Sequence, residues 1–131
     1  MTSALLVVDV QNAVVEGMPG RDALVATIVD KRHRSAFGDT GLGDLLRGYG
    51  VGRVVLVGAQ TAFCVDMAGK HALAEGFDVT WVSDGHGNGD QETADGLVPD
   101  AAVRALLNRT WSSMRHPGRT VEVVAGDQVR W

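Results

Sequence analysis

Apolar residues come along this chain in short runs that end on a charged or turn-forming residue, separated by stretches of helical spacing. Residues 4–8, ALLVV, are a run that stops at Asp9, the pattern of a strand buried on both faces. Residues 11–20 lose periodicity, and Gly17-Met18-Pro19-Gly20 marks a loop. Residues 23–29 fit either helix or strand, with Thr27, Ile28 and Val29 tilting the end toward strand. Leu42, Leu45, Leu46 and Tyr49 recur at helical spacing, and Gly50 is placed to stop that helix. Residues 53–57 are the strongest strand, residues 58–63 a turn, and residues 64–75 a helix closed by Gly76. A strand over 77–83 precedes a loop over 84–90. A helix over 101–114 carries Val103, Leu106, Leu107, Trp111 and Met114 on one face, and a last strand covers 120–124.

Strands alternating with helices imply βαβ units: an α/β fold with a Rossmann-like parallel sheet in a three-layer α/β/α arrangement. At 131 residues, 45% hydrophobic and 21% charged, residues 1–131 form one domain of ordinary globular balance. A net charge of -4 argues against nucleic acid as a partner, and the basic cluster Lys31-Arg32-His33-Arg34 is too short to reverse that. No apolar stretch is long enough for a bilayer, so no membrane partner is expected. The N-terminal run lacks a basic flank and is shorter than a secretory h-region, which makes cytoplasmic the expected location.

The chemistry concentrates at three strand ends. In a parallel sheet, ligands bind beyond the carboxyl ends of the strands. Asp9, Lys31 and Cys64 all follow apolar runs, so a carboxylate, an ammonium and a thiol would emerge on one rim. Cys64 is the single cysteine, so it cannot form an internal disulfide. A thiol at the start of a helix meets unpaired N–H groups and the positive end of the dipole, which favour the thiolate nucleophile. Each residue alone has a plainer reading: Asp9 as a loop cap, Lys31 as a solvated charge, Cys64 as buried filler. Gly85, Gly87 and Gly89 read as loop glycines, because no GxGxxG pattern surrounds them. Phe37 and Phe63 are candidate pocket linings, and Trp81 is assigned to the core.

Four blocks, LLVVDVQN, VDKRHRSAFGDTGLGDLLRGYGVGRVVLVG, AQTAFCVD and ALAEGFDVTWVSDGHGNGD, resemble the isochorismatase-like cysteine hydrolase superfamily, which includes nicotinamidases and streptothricin hydrolases. The QT-x-x-CVD turn with SDGH downstream is most similar to the streptothricin-hydrolase-like branch. The resemblance implies Asp9 as general acid/base, Lys31 as charge stabiliser and Cys64 as nucleophile. It also implies a cis peptide at Ala59–Gln60, with the N–H groups of Gln60 and Cys64 as the oxyanion hole. Gln11, Phe37 and Phe63 are then the substrate contacts, and His86 takes a hydrogen-bonding role. The implied reaction is hydrolysis of a C–N bond in a small amide, lactam or ureido molecule through a thioester, with no cofactor.

The chain departs from the family between Asp9 and Lys31, which stand twenty-two positions apart where the family has a much longer connection. That stretch holds no histidine, and His33, His71, His86 and His116 lie apart without zinc-like spacing, so no metal is expected. If the family strand order 3-2-1-4-5-6 applies, one inner strand is missing, which exposes apolar surface and favours a homodimer or higher homo-oligomer. Two other functions stay open. One is a shortened member serving as a binding or assembly module. The other is a vinyl-ether hydrolase of the isochorismatase type.

Overall fold

The computed structural model describes residues 2–8 and 33–131, and the fold is given for these. Strand β1 (Thr2–Val8) is followed by helix α1 (Leu42–Gly48), β2 (Val51–Ala59), a π-helical turn (Thr61–Val65), α2 (Asp66–Ala74) and β3 (Asp78–Gly87). A hairpin of β4 (Gln91–Thr93) and β5 (Gly96–Val98) then leads into α3 (Asp100–Ser112), β6 (Val121–Val124) and a 3₁₀ turn (Gly126–Gln128). The main sheet has the order β1-β2-β3-β6, and every neighbouring pair is parallel. Asp9, Gln11, Lys31 and the strand expected at residues 23–29 lie outside the described residues. So does any further strand beyond β1 in the expected order.

The central strands are buried on both faces, with Val55 of β2 and Val82 of β3 on the side opposite the main cluster. Ala4, Leu6 and Val8 of β1, Val54 and Leu56 of β2, Val79 and Trp81 of β3, and Val121 and Val123 of β6 share one face. Against that face pack Leu42 and Leu46 of α1, Ala68, Ala72 and Leu73 of α2, and Trp111 of α3. The other face of β1 differs from its expected burial on both sides: Leu5 is 43% and Val7 50% exposed. An apolar run therefore marked the strand correctly and overstated its burial. Among the described residues, no helix is long and apolar enough to cross a membrane.

Two glycines fix close approaches. Gly58 pairs with Val8 at a positive φ of 127°, where a side chain would run into the Val8 backbone. Gly69 of α2 lies under Trp111, which stacks on Trp81 at 4.8 Å with planes 12° apart.

Three expectations are corrected. The strand expected to end at residue 83 runs to Gly87, because β2 pairs with β3 again at Gly58↔His86 and Ala59↔Gly87 after an irregularity. Between the pairs Leu56↔Trp81 and Gly58↔His86, β3 has bulged outward. Leu106 is 64% exposed, so the buried face of α3 is Val103 and Trp111 with half-buried Leu107 beside them. The helix expected from residue 64 starts earlier, because a π-helical turn, Thr61–Val65, carries Cys64 and runs directly into α2 at Asp66.

A methyl group at Gly69 would approach Trp111 Cζ2 to 2.6 Å and Leu56 Cδ1 to 2.8 Å. Gly69→Ala is expected to destabilise the fold by about 1–3 kcal/mol through overpacking. Gly48, at the end of α1 with open space around it, is the control. Gly48→Ala is expected to be neutral or to stabilise by up to about 1 kcal/mol. Urea unfolding of the two variants checks both signs.

Candidate active site

The carboxyl ends of β1, β2 and β3 meet on one rim. Val8 ends β1 beside Gly58, and Gly58 and Ala59 end β2 beside His86 and Gly87. The chain leaves β2 through a cis peptide between Ala59 and Gln60 and enters the turn that carries Cys64. In that turn the N–H groups of Phe63 and Val65 both donate to the Gln60 carbonyl, at 3.1 and 3.2 Å. The second of these spans five residues, the spacing that makes the turn π-helical. Cys64 is half-buried and packs against the core, and Asp66 opens α2 immediately behind it.

Two side chains from the end of β3 hold this turn. Thr61, fully buried, shares a 2.8 Å hydrogen bond with His86 Nδ1. The Ala62 N–H donates to Asn88 Oδ1 at 2.9 Å. Asn88 is buried and is anchored in turn, because its own N–H and that of Gly89 donate to Asp100 Oδ1 at 2.7 and 3.0 Å. Asp100 Oδ2 also accepts from Arg104 Nε at 2.9 Å. These contacts hold the Asp100 carboxyl below its ordinary range, the Asn88 N–H being the largest cause. From α2, the carboxylate of Asp66 accepts the Trp111 indole N–H at 2.9 Å, which ties the start of the helix to α3.

His86 is buried between Trp81, 4.6 Å away between ring centroids, and Asn108, whose Oδ1 lies 2.9 Å from His86 Nε2. Burial pushes this imidazole below its ordinary pKa, outweighing the Asn108 hydrogen bond, which acts the other way. The charges facing it are Arg104, which disfavours protonation, and Asp100 and Asp84, which favour it.

Phe63 precedes Cys64, and the Arg34 guanidinium sits over its ring, 4.8 Å from the centroid. Phe37, expected to touch substrate, packs in the core at 6% exposure, tilted against Phe77 and His71. Ser35 joins this cluster through a 2.9 Å hydrogen bond to His71 Nδ1. A recess lined by Arg53, Asp78, Thr120 and Glu122 lies at the opposite, amino ends of the strands. Its charges are internally paired, Arg53 with Glu122 at 3.6 Å and Asp78 with Arg119 at 3.9 Å, so it is a surface notch remote from Cys64. Thr61, Asn88 and Asn108 went unnoticed in the sequence. No local pattern marks them, because the partners that give them their roles come from other elements.

The isochorismatase domain model matches residues 25–102. The chain belongs to the isochorismatase family. Streptothricin hydrolase of Streptomyces noursei is 32% identical over 99 residues, covering 74% of this chain and 37% of that protein. A cysteine hydrolase of Pseudomonas syringae pv. phaseolicola superposes with a TM-score of 0.68 at 25% identity, over 76% of this chain and 45% of the other. An isochorismatase of Pseudomonas putida shares the fold, with a TM-score of 0.70 at 22% identity, over 86% and 56%. The chain thus spans just over a third of this streptothricin hydrolase and about half of these solved structures.

Two pH windows follow from the site's shifted groups. His86 is depressed in the folded state, so its stabilising contribution is complete above the unfolded value near 6.5 and is lost as pH falls through the folded value. Asp100 acts with the same sign lower down, its contribution being lost as pH falls from about 3.8 through its folded value. The slope of unfolding free energy against pH just below 6.5 is expected to be positive and to shrink in His86→Gln. Urea titrations at several pH values measure it.

Proposed function

We propose that this chain is a cysteine hydrolase that cleaves the C–N bond of a small amide, lactam or ureido compound. The observation that carries the reading is the placement of Cys64 in a tightly bonded turn at the carboxyl end of β2, directly before α2. A thiolate formed there is favoured by the positive end of the following helix. Asp9 is the next residue in sequence after Val8, which pairs with Gly58 on the same rim.

In this mechanism Asp9 takes the Cys64 proton, with Lys31 holding the pair's charge, and Sγ attacks the carbonyl carbon. The N–H groups of Gln60 and Cys64 receive the oxyanion. Asp9 returns the proton to the leaving nitrogen as the C–N bond breaks and a thioester forms. Water then adds to the thioester, giving its proton to Asp9. Collapse expels the Cys64 sulfur and frees the carboxylic or carbamic acid. Phe63 and Gln11 contact the substrate, and the likeness to streptothricin hydrolase supports a hydrolase over a binding module.

Ammonia or amine release from a panel of nicotinamide, ureido acids and cyclic lactams tests this. Cys64→Ala is expected to lower turnover of any accepted substrate by roughly 10³-fold or more. Iodoacetamide is expected to label wild-type Cys64 and to abolish the same activity. Turnover that survives Cys64→Ala would end the proposal, and the absence of any turnover alongside sluggish labelling would favour a binding module.

A further inference from the structure

A chain of four polar groups, Trp81, half-buried Asn108, His86 and Thr61, runs from α3 to the Cys64 turn, and its direction is fixed at one end. An indole N–H can donate and can never accept. Trp81 Nε1 lies 2.8 Å from Asn108, so the Asn108 atom facing it is the carbonyl oxygen Oδ1. The other end of the same amide agrees, since Asn108 Nδ2 donates to the Ser83 carbonyl at 3.1 Å. That Oδ1 also faces His86 Nε2 at 2.9 Å, so Nε2 must carry the proton. In a neutral ring Nδ1 is then a lone pair, and the Thr61 hydroxyl 2.8 Å away must donate to it. Thr61 and Trp81 are fully buried, His86 is nearly so, and Asn108 is half-buried.

We propose that His86 is a positioning residue for Cys64: a neutral imidazole carrying its proton on Nε2, whose Nδ1 accepts the Thr61 hydroxyl and so sets the turn Thr61–Val65. Its effect on turnover rests on the reading of Cys64 as nucleophile; its tautomer and its grip on the turn do not. The ring does no chemistry. Both of its nitrogens are occupied, one by Asn108 and one by Thr61. It acts through Thr61, three residues before the sulfur, by fixing where the turn leaves the sheet. The depressed basicity of the ring agrees with this assignment, since an imidazolium would present N–H to Thr61 and reverse the bond.

The first arm of the test is two-bond ¹H–¹⁵N spectroscopy of histidine-labelled protein at pH 7.5, with His86→Gln used to assign the signals. The expected signature is the neutral Nε2–H form for His86; an Nδ1–H form or an imidazolium would overturn the proposal. The second arm follows iodoacetamide alkylation of Cys64 against pH in wild type, Thr61→Val, Thr61→Ser and His86→Phe. Thr61→Val and His86→Phe are expected to change the alkylation rate at pH 7.5 by about fivefold or more, while Thr61→Ser, which keeps the hydroxyl, restores it. Where a substrate is found, kcat is expected to fall in Thr61→Val with KM within about twofold. If His86→Phe does not fold, Thr61→Val against Thr61→Ser decides alone. A Thr61→Val alkylation profile that superposes on wild type would overturn the proposal. Failure of every amide substrate would count against the hydrolase reading while leaving the spectroscopic and alkylation results in force.

Discussion

A buried indole nitrogen has no freedom about its hydrogen bond: it donates or it is wasted. In this protein the Trp81 N–H is aimed at Asn108 from the centre of the core, and leaving it unmet would cost about 1–3 kcal/mol. Asn108 therefore cannot turn its amide round, His86 cannot choose its tautomer, and Thr61 cannot choose its hydroxyl direction. Among the described residues no buried side-chain nitrogen or oxygen lacks a partner. A fully satisfied buried network of this kind specifies a single arrangement, and here that arrangement ends on the turn that presents the cysteine.

The apolar half of the same junction explains why the network can sit where it does. Trp111 stacks on Trp81 and closes over Gly69, so α2, α3 and β3 come together around two indoles. The two indole N–H groups then point in different directions to different helices. Trp81 reaches Asn108 on α3, and Trp111 reaches Asp66 at the start of α2. Each large ring supplies buried area together with one directional bond, so packing and orientation are set by the same residues. The turn bearing Cys64 leads straight into Asp66, so its far end is pinned by Trp111 while its near end is pinned through Thr61.

Periodicity and turn residues were enough to locate β1, α1, β2, α3 and β6 to within a few residues, and the cysteine turn was legible because a strand, a glycine and a helix follow in close order. What the sequence hid has physical causes. The glycines of DGHGNG read as a loop, yet a strand resumes there because β2 supplies ladder partners at Gly58 and Ala59, a tertiary fact with no local trace. Phe37 was a candidate pocket lining, and its ring packs in the core, tilted against Phe77. Leu106 matched the helical stripe, but α3 rests on the sheet through Trp111 and Val103, and that narrower contact leaves one leucine in solvent. Asn108, which holds the site's polarity, looked like any polar helix position, because nothing in a sequence says that an indole lies opposite.

The two supports of the cysteine turn differ in kind. The His86 support is neutral, and it stays neutral because burial disfavours the imidazolium. The Asn88 support is anchored by charge: it holds the Ala62 N–H while its own backbone rests on the Asp100 carboxylate, which Arg104 also engages. Hydrogen bonds to an ionised acceptor are the stronger class, and Asp100 keeps its charge because those donors favour the carboxylate. Acid acts on the two supports in the same sense, the imidazole's window opening below 6.5 and the carboxylate's below 3.8. The turn is thus held at Thr61 by a bond whose direction depends on a neutral ring, and at Ala62 by one that is anchored through Asn88 to a charge.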